Sequence, residues 1–320
     1  MHTDYQNINL LPFKKYNGNP IIRREDVPYP CNTVFNAAAC KYGDEYILLL
    51  RVEDLEGRSH LTLARSRDGI GFTIDRMPWV IPSQDLYYEP YERYGVEDPR
   101  ITQIDETFYI TYTAFGPYGV RIGIGKTKDF KGFERICLAT EVDNKDGVLF
   151  PEKIDGEYVM ITRPGGLGGQ RGDIWISSSP DLIHWGKSRL LMYPRPGAWG
   201  SQKLGASTPP IKTEEGWLVF YHGVRQVASG KIYRIGAMLL DLENPHTLKG
   251  YTSHFILGPE EPYERIGDVP NVVFPCGAIL EKDNMLRIYY GVADTAIAMA
   301  TADIKDIIRL CLISPPDNTF

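Results

Sequence analysis

Long hydrophobic runs are absent from this 320-residue sequence. The longest apolar stretches, such as Tyr46–Leu50, are far shorter than the roughly 20 residues that a membrane-spanning helix needs. The N-terminal segment Met1–Asn7 is polar and lacks the basic-then-apolar pattern of a signal peptide. We therefore expect no membrane partner and a cytoplasmic location.

An excess of positive charge is also missing, because the formal net charge is −6. This balance argues against nucleic acid or an anionic membrane as a general partner. An anionic small molecule would instead need a local basic pocket.

Cysteines are few and dispersed. The five thiols, at Cys31, Cys40, Cys137, Cys276 and Cys311, include no pair at zinc-like spacing, and no aspartate-rich calcium loop is evident. The sequence thus predicts neither a disulfide framework nor a metal site, and this cysteine usage fits a reducing compartment.

Long amphipathic helical patterns are scarce, whereas short aromatic or β-branched runs recur between turn residues, which predicts an all-β protein. These runs repeat. A turn followed by an aromatic-aliphatic strand occurs at Gly43–Leu50, Asp105–Tyr112, Asp155–Thr162, Glu215–Tyr221 and Asp283–Tyr290. A second strand with an aspartate turn and an aromatic residue follows at Ala64–Phe72, Gly125–Phe133 and Ser177–Trp185, with looser counterparts at Gly236–Leu242 and Ala298–Asp303. A third pattern precedes each copy, at Val34–Ala37, Val96–Pro99, Val148–Pro151, Ala206–Pro209 and Val272–Pro275.

Five repeats of a small antiparallel sheet predict a five-bladed β-propeller around a central channel. No linker or charge block divides the chain, so we expect a single domain over residues 1–320. Roughly the first 30 residues and the C-terminal tail would close or wrap the ring.

The repeat phase predicts which residues face the channel. If the third pattern is the innermost strand, its equivalent positions are Asn36, Asp98, Phe150, Thr208 and Phe274, of which only Asp98 can ionise. The ends of the first repeated strand bring Arg51, Thr113, Arg163, His222 and Gly291 to matching positions. Basic or imidazole groups from three repeats would therefore meet one carboxylic acid at one mouth.

This combination favours phosphate as a reactant. Inverting glycoside hydrolysis uses two carboxyl groups, one to protonate the leaving oxygen and one to activate water. Inorganic phosphate is already nucleophilic, so the protein needs cations to bind it, and Arg, Lys or protonated His supplies them. One acid opposite several cations thus fits phosphorolysis better than hydrolysis.

The sequence resembles the mannoside phosphorylases of glycoside hydrolase family 130 from about Asn17 to Ala302. The resemblance lies in Val34–Asn36, Val96–Arg100, Leu149–Lys153, Thr162–Pro164, Tyr221–Val224, Ile232–Arg234 and Tyr290–Asp294. It implies a five-bladed propeller that cleaves β-mannosides with inorganic phosphate as co-substrate, without a cofactor, and inverts the anomeric centre to give α-mannose 1-phosphate. Relatives commonly self-associate, which leaves room for a homo-oligomer.

The resemblance also implies roles for individual residues. Asp98 would be the proton donor, acting through a hydroxyl of the bound mannose. Phosphate would be bound by Lys145, Arg163, Lys203, His222 and Tyr233, although relatives also carry arginine at the position of Lys145. The mannoside would be contacted by Asn36, Arg51, Asp54, Arg58 and Asp294.

Several alternatives remain open from the sequence. The segments Arg51–Asp54, Ser59–Leu61 and Gly223–Tyr233 are closer to β-1,2-mannobiose and β-1,2-oligomannan phosphorylases, with a β-1,4-mannosyl phosphorylase as the alternative. An inverting β-mannosidase could use an acid such as Glu152 to activate water, and a noncatalytic sugar-binding propeller is a third reading.

Two local features have structural explanations as well. Glu97 and Arg100 could pair with each other and fix the Asp98 loop. We expect the segment Gly165–Gly169 to form a mobile loop near the mouth, because it lacks the ending of a phosphate-binding loop.

Overall fold

A computed structural model describes residues 9–165 and 172–314. Those residues are mostly β-structure, and the strands follow one another as antiparallel neighbours. Two short strands and a 3-10 turn at Arg24–Asp26 precede the first four-stranded unit. The two short strands are β1 (Lys14–Lys15) and β2 (Ile22–Arg23). The first unit contains β3 (Thr33–Tyr42), β4 (Glu45–Glu53), β5 (Ser59–Ser66) and β6 (Thr73–Ile74).

A second four-stranded unit follows a short helix, α1 (Glu89–Glu92). Its strands are β7 (Gly95–Ile104), β8 (Thr107–Gly116), β9 (Gly119–Thr127) and β10 (Glu134–Leu138). A single parallel bridge between Ser59 and Gly95 joins the two units into one eight-stranded sheet.

The next two sheets are separate. The third unit contains β11 (Asn144–Leu149), β12 (Tyr158–Pro164), β13 (Ile174–Ser179) and β14 (Gly186–Met192). The fourth contains β15 (Lys203–Ala206), β16 (Ile211–Lys212), β17 (Trp217–Val227), β18 (Gly230–Leu240) and β19 (Leu248–Tyr251).

The last sheet combines the two ends of the described chain. Its main strands, after helix α2 (Pro262–Arg265), are β20 (Val273–Leu280), β21 (Met285–Val292) and β22 (Ala296–Asp303). The early strands β1 and β2 pair antiparallel with β22. Helix α3 (Ile304–Leu312) follows, with Asp303 as its N-cap, and buries Ile304, Ile307, Ile308 and Cys311. The sequence patterns did not predict this helix.

The hydrophobic core lies between successive sheets, because alternate residues of each strand point to opposite faces. Leu49 and Leu63 of the first unit pack with Ile110 of the second, and Ile161 of the third packs with Val219 of the fourth. Each such fully buried aliphatic side chain contributes about 1.5–3 kcal/mol relative to an exposed one. Residues 9–165 and 172–314 include no helix long and apolar enough to cross a membrane.

The register of the sheets confirms one prediction from the repeats for the first three units. Arg51, Thr113 and Arg163 pair with Phe35, Glu97 and Lys145, each of which lies directly before a bulge in the first main strand of its unit. His222 and Gly291 pair with Gly205 and Phe274 in the last two units, where the bulge is absent or begins one residue later.

The predicted innermost positions are only partly correct. Asn36 and Asp98 each follow the paired residue and lie in a β-bulge, but the same place in the third unit is taken by Asp146, not Phe150. By the same register, Thr208 and Phe274 are also displaced from the position of Asp98. The error arose because the Pro-containing pattern of the third repeat begins after the bulge.

Candidate active site

A cavity of about 190 Å³ lies where the first strands of the sheets meet. Its lining brings together every predicted site residue except Asp54 and Arg58, that is Asn36, Arg51, Asp98, Lys145, Arg163, Lys203, His222, Tyr233 and Asp294. Asp146, Val269, Val272 and Phe274 complete it. The predicted convergence of Arg51, Arg163 and His222 from three repeats is confirmed.

Asp54 and Arg58 lie in the turn between β4 and β5, outside this cavity lining. The Asp54 Oδ1 atom accepts hydrogen bonds from the backbone N–H groups of Glu56, at 2.8 Å, and Arg58, at 2.9 Å. The Arg58 side chain is 54% exposed and forms an ion pair with Glu56. The structure thus gives Asp54 a turn-stabilising role and does not bring either residue into the pocket.

Three bulges carry polar side chains into the cavity. Asn36, Asp98 and Asp146 have φ angles of 47°, 45° and 58°, a region that L-residues adopt at a cost of order 1–3 kcal/mol. Such bulges re-aim a side chain out of the regular alternation of a strand. Gly291, on strand β21 of the last sheet, leaves the space that the Asn36 amide occupies. A Cβ on Gly291 would lie 2.0 Å from Asn36 Oδ1.

Asp98 is buried and held from two sides. Its Oδ1 atom accepts hydrogen bonds from Asn36 Nδ2, at 2.8 Å, and from a terminal amino group of Arg51, at 2.9 Å. Burial raises the pKa of Asp98, but the positive charges of Arg51 and Arg100 and the Asn36 bond outweigh it, so the pKa lies below its ordinary value. Asp98 is therefore ionised in the free protein at neutral pH.

Glu97 and Arg100 do not pair with each other. Glu97 accepts a 2.8 Å bond from the other terminal amino group of Arg51, and burial raises the pKa of Glu97 despite this partner. Arg100 is fully buried and donates to the backbone carbonyls of Asp98, at 2.8 Å, and Ser207, at 3.1 Å. The expectation of a Glu97–Arg100 pair was wrong, although Arg100 does fix the backbone at Asp98.

Asp146 is a site residue that the sequence analysis missed. Its Oδ2 atom accepts a 2.5 Å bond from Arg163 Nε and lies 3.5 Å from His222 Nε2, and its Oδ1 atom lies 3.4 Å from Arg100. Burial raises the pKa of Asp146, but Arg163 and Arg100 hold it well below its ordinary range. Counting one residue on from Lys145, as from Glu97 to Asp98, would have identified it.

The opposite wall is basic and aromatic. Burial and the neighbouring charges of Arg163, Lys145 and Lys231 lower the pKa of Lys203 to about 8, and its ammonium lies 5.8 Å from the centre of the Tyr233 ring. Burial raises the pKa of Tyr233, so its hydroxyl remains a neutral donor. Burial lowers the pKa of His222 to about 3, so its imidazole is neutral in the free protein and adds no positive charge.

The sugar-facing candidates leave hydrogen-bonding capacity in the cavity. Asn36 Oδ1 is buried and has no protein partner among residues 9–165 and 172–314. Burial raises the pKa of Asp294 to about 7, with Asp98 among the charges that add to the effect and Arg51 opposing it. Hydroxyl groups of a bound ligand could satisfy both residues.

Glu152, the candidate base for hydrolysis, lies elsewhere. It forms an ion pair of 2.7 Å with Lys212 and is not part of the cavity lining. It is therefore not placed to activate water there. Most of the predicted loop Gly165–Gly169 lies outside the described residues.

Comparisons with known proteins agree on a family. A family model described as beta-1,4-mannooligosaccharide phosphorylase, that of glycoside hydrolase family 130, matches residues 6–312. The beta-1,4-mannooligosaccharide phosphorylase of Ruminococcus albus is 38% identical over 300 residues, which cover 92% of this chain and 89% of that protein. The beta-1,2-mannobiose phosphorylase of Listeria innocua is 42% identical over 261 residues, or 80% of this chain and 71% of that protein.

The fold agrees as well. The structure of the Listeria innocua beta-1,2-mannobiose phosphorylase in complex with beta-1,2-mannobiose superposes with a TM-score of 0.86 at 34% identity, covering 94% of this chain and 99% of that chain. The β-rich architecture is thus consistent with the propeller-like fold of the family. The chain belongs to glycoside hydrolase family 130, a family of mannoside phosphorylases that also contains glycoside hydrolases.

Proposed function

We propose that this protein catalyses inverting phosphorolysis of β-mannosides. Inorganic phosphate is the second substrate, and the products are α-D-mannose 1-phosphate and an acceptor shortened by one mannose. The observation that carries the proposal is the division of charge in the cavity: Asp98 faces cations, Asp146 is already bound to Arg163, and the third carboxylate of the lining, Asp294, lies near Arg51 and Asp98 and not at the basic wall. A hydrolase would need a second carboxylate as a base for water.

Phosphate fits the basic wall. Lys145 on β11 and Arg163 on β12 lie directly opposite each other in the register of the two strands, and Lys203 comes from β15 of the neighbouring sheet. Arginine can bind two phosphate oxygens at once, while lysine adds a point charge. Neutral His222 and the Tyr233 hydroxyl contribute as hydrogen-bond donors and not as charges.

Mannose occupies the other side of the cavity in this proposal. Asn36, Arg51 and Asp294 are positioned to bind its hydroxyls, with the unpartnered Asn36 Oδ1 as an acceptor. A phosphate oxygen attacks C1 from the face opposite the leaving group, the C1–O glycosidic bond breaks, and a proton from Asp98 passes through a mannose hydroxyl to the leaving oxygen. One displacement inverts the anomeric centre.

Asp98 must gain a proton before it can act as an acid. In the free protein the cations keep it ionised. A bound phosphate brings negative charge close to Arg163, Lys145 and Lys203, which offsets the positive field at Asp98 and raises its pKa. The ionised form is in turn the base that the reverse reaction, synthesis from mannose 1-phosphate, requires.

We propose a β-1,2 linkage for the preferred substrate. The Listeria innocua relative, which is the most similar of those named above in identity, is a beta-1,2-mannobiose phosphorylase. The alternative is a β-1,4 linkage, favoured by the description of the family model and by the Ruminococcus albus relative. Linkage depends on how the acceptor is bound, and binding residues commonly lie on loops.

The deciding experiment incubates the protein with β-1,2- and β-1,4-mannobiose, each with and without inorganic phosphate. We expect α-mannose 1-phosphate and mannose in equal amounts from the β-1,2 substrate, and only when phosphate is present. Free mannose as the sole product would refute phosphorolysis. Faster turnover of the β-1,4 substrate would refute the linkage.

The remaining parts of the proposal concern architecture and location. We propose that the five units are five blades of one propeller domain over residues 1–320, since successive units repeat the same antiparallel strand order and the first three repeat the same bulge in their first main strand. The five cysteines are all free, and four are buried, which supports a reducing compartment such as the cytoplasm.

A further inference from the structure

Asp146 poses a chemical problem for the proposed phosphate site. It is an ionised carboxylate, 1% exposed, on the wall that would bind an anion. Like charges at short range in a buried site repel strongly, so a carboxylate there opposes phosphate binding unless its charge is used for something else.

Both oxygens of Asp146 are committed to neighbouring donors. Oδ2 accepts from Arg163 Nε, so the guanidinium is anchored by its inner nitrogen. In the proposed complex, the two terminal amino groups of Arg163, which lines the cavity, are the part of the guanidinium that contacts phosphate. Oδ1 faces Arg100, which also donates to the Asp98 carbonyl. One carboxylate therefore links the phosphate-binding arginine to the backbone of the proposed acid.

The same carboxylate selects the form of His222. A neutral imidazole carries one N–H, and the negatively charged Oδ2 atom, 3.5 Å from Nε2, favours the tautomer with the hydrogen on Nε2. Nδ1, which lies 3.4 Å from Ser207 Oγ, is then an acceptor for that hydroxyl. The single N–H of neutral His222 is then held on the side of the ring that faces Asp146.

The packing leaves little freedom for Asp146. A Cβ on Gly205 would lie 2.3 Å from Asp146 Oδ2 and 2.5 Å from His222 Cε1. The bulge sets a positive φ at Asp146, an uncommon conformation that the neighbouring ion pairs maintain. Glycine at 205 thus permits a contact that any other residue would displace.

We propose that Asp146 is a positioning residue for phosphate: it orients Arg163 and the His222 tautomer, so that its charge assists anion binding indirectly. This inference rests on the proposed function, because it assigns a role within the same site. A purely Coulombic view predicts the opposite, that removing the negative charge of Asp146 tightens phosphate binding.

The test compares Asp146→Asn with the wild type in initial-rate measurements over a range of inorganic phosphate at saturating mannobiose, and by calorimetric titration with inorganic phosphate alone. We expect the KM and Kd for phosphate to rise by about 10-fold or more, the range in which groups that orient a binding residue commonly act. The KM for mannobiose should change by less than about threefold. Unchanged or tighter phosphate binding would overturn the inference.

The pH profile adds a readout that a merely structural role would not move. The groups facing Lys203 are Arg163, Lys145 and Lys231, which lower its pKa, and Asp146, which raises it. Asp146→Asn should therefore shift the alkaline limb of kcat/KM for phosphate to lower pH. An unshifted limb together with an unchanged phosphate Kd contradicts the proposal.

Glu92→Gln is the matched control. Glu92 is also a fully buried carboxylate, paired with Arg135 at 2.7 Å, but it lies outside the cavity lining. It should lower the Tm without changing phosphate binding. If Asp146→Asn does not fold, Gly205→Ala keeps every charge but displaces the contact between the Asp146 carboxylate and the His222 ring, and it should weaken phosphate binding in the same direction. Failure of the proposed function would show as phosphate-independent turnover in the wild type, whereas failure of this inference leaves wild-type phosphorolysis intact.

Discussion

The lowered pKa of Lys203 makes phosphate use sensitive to alkaline pH. Burial and three neighbouring cations bring its pKa to about 8, so the ammonium is about nine-tenths protonated at pH 7 and about one-tenth at pH 9. The charge is present below pH 8 and is lost as pH rises through that value. If phosphate binding needs this charge, kcat/KM for phosphate should fall by about 10-fold between pH 7 and pH 9.

Replacing the titrating group should remove the fall. Lys203→Arg supplies a guanidinium that stays protonated throughout this range. At pH 7 we expect the kcat/KM of Lys203→Arg for phosphate to be lower than that of the wild type, because the planar guanidinium places its donors differently from an ammonium. Between pH 7 and pH 9 it should change by less than about twofold. His222 and Tyr233 do not titrate in this interval, since their pKa values lie at about 3 and above the ordinary tyrosine range.

The assay measures α-mannose 1-phosphate released at phosphate concentrations well below KM, where the rate reports the free enzyme. Lys231→Arg is the control, because Lys231 is an exposed neighbour of Lys203 that lies outside the cavity lining. The substitution keeps the positive charge at position 231. It should retain the wild-type pH dependence. An alkaline limb that persists in Lys203→Arg would refute the assignment to Lys203.

Three further predictions test other parts of the site. Asp98→Asn should lower kcat by about 10²- to 10⁴-fold, which is the usual contribution of a positioned proton donor. The Kd for phosphate, measured by calorimetry, should stay within about threefold of the wild-type value, and normal turnover would refute the acid role. Asn36→Ala removes a bond to Asp98 and a sugar-facing amide, so the KM for mannobiose should rise with little change in the phosphate Kd, and equal effects on both would contradict the division of the cavity. Asp54→Ala should lower the free energy of unfolding by about 1–2 kcal/mol, because two hydrogen bonds in the turn are lost. It should leave kcat/KM for mannobiose unchanged when the release of α-mannose 1-phosphate is measured. A large loss of kcat/KM would show that Asp54 contacts the sugar after all.

The repeated strands could be predicted because each repeat obeys the same physical rule. The aromatic-aliphatic segments at Gly43–Leu50, Asp105–Tyr112 and Asp283–Tyr290 coincide with β4, β8 and β21, since alternating buried residues must pack against both neighbouring sheets. Helix α3 escaped prediction because its apolar face spans only nine residues, too few to stand out from short strands.

The site was harder to predict where it depends on bulges. A bulge adds one residue to a strand, so residues after it no longer match their equivalents by simple counting. Counting positions along the repeats therefore placed Arg163 correctly, because it lies on a regular strand. The same counting was wrong at Phe150, which lies beyond the bulge that holds Asp146. The family resemblance assigned Lys145 to phosphate, but the ion pair between its chain neighbour Asp146 and Arg163 became visible only in three dimensions.

The choice between phosphate and water follows from how the carboxylates are paired. Asp98 shares Arg51 with Glu97, whereas Asp146 is bound by Arg163 and faces Arg100. A general base needs a pKa near the working pH, and the arginines hold that of Asp146 far below it. Asp146 therefore cannot deprotonate water efficiently, although it is the carboxylate beside the basic wall. Asp294, whose pKa is raised to about 7, lies instead near Arg51 and Asp98. A nucleophile that arrives already ionised avoids this step, so the ion pairs that orient the basic wall also favour phosphate over hydrolysis.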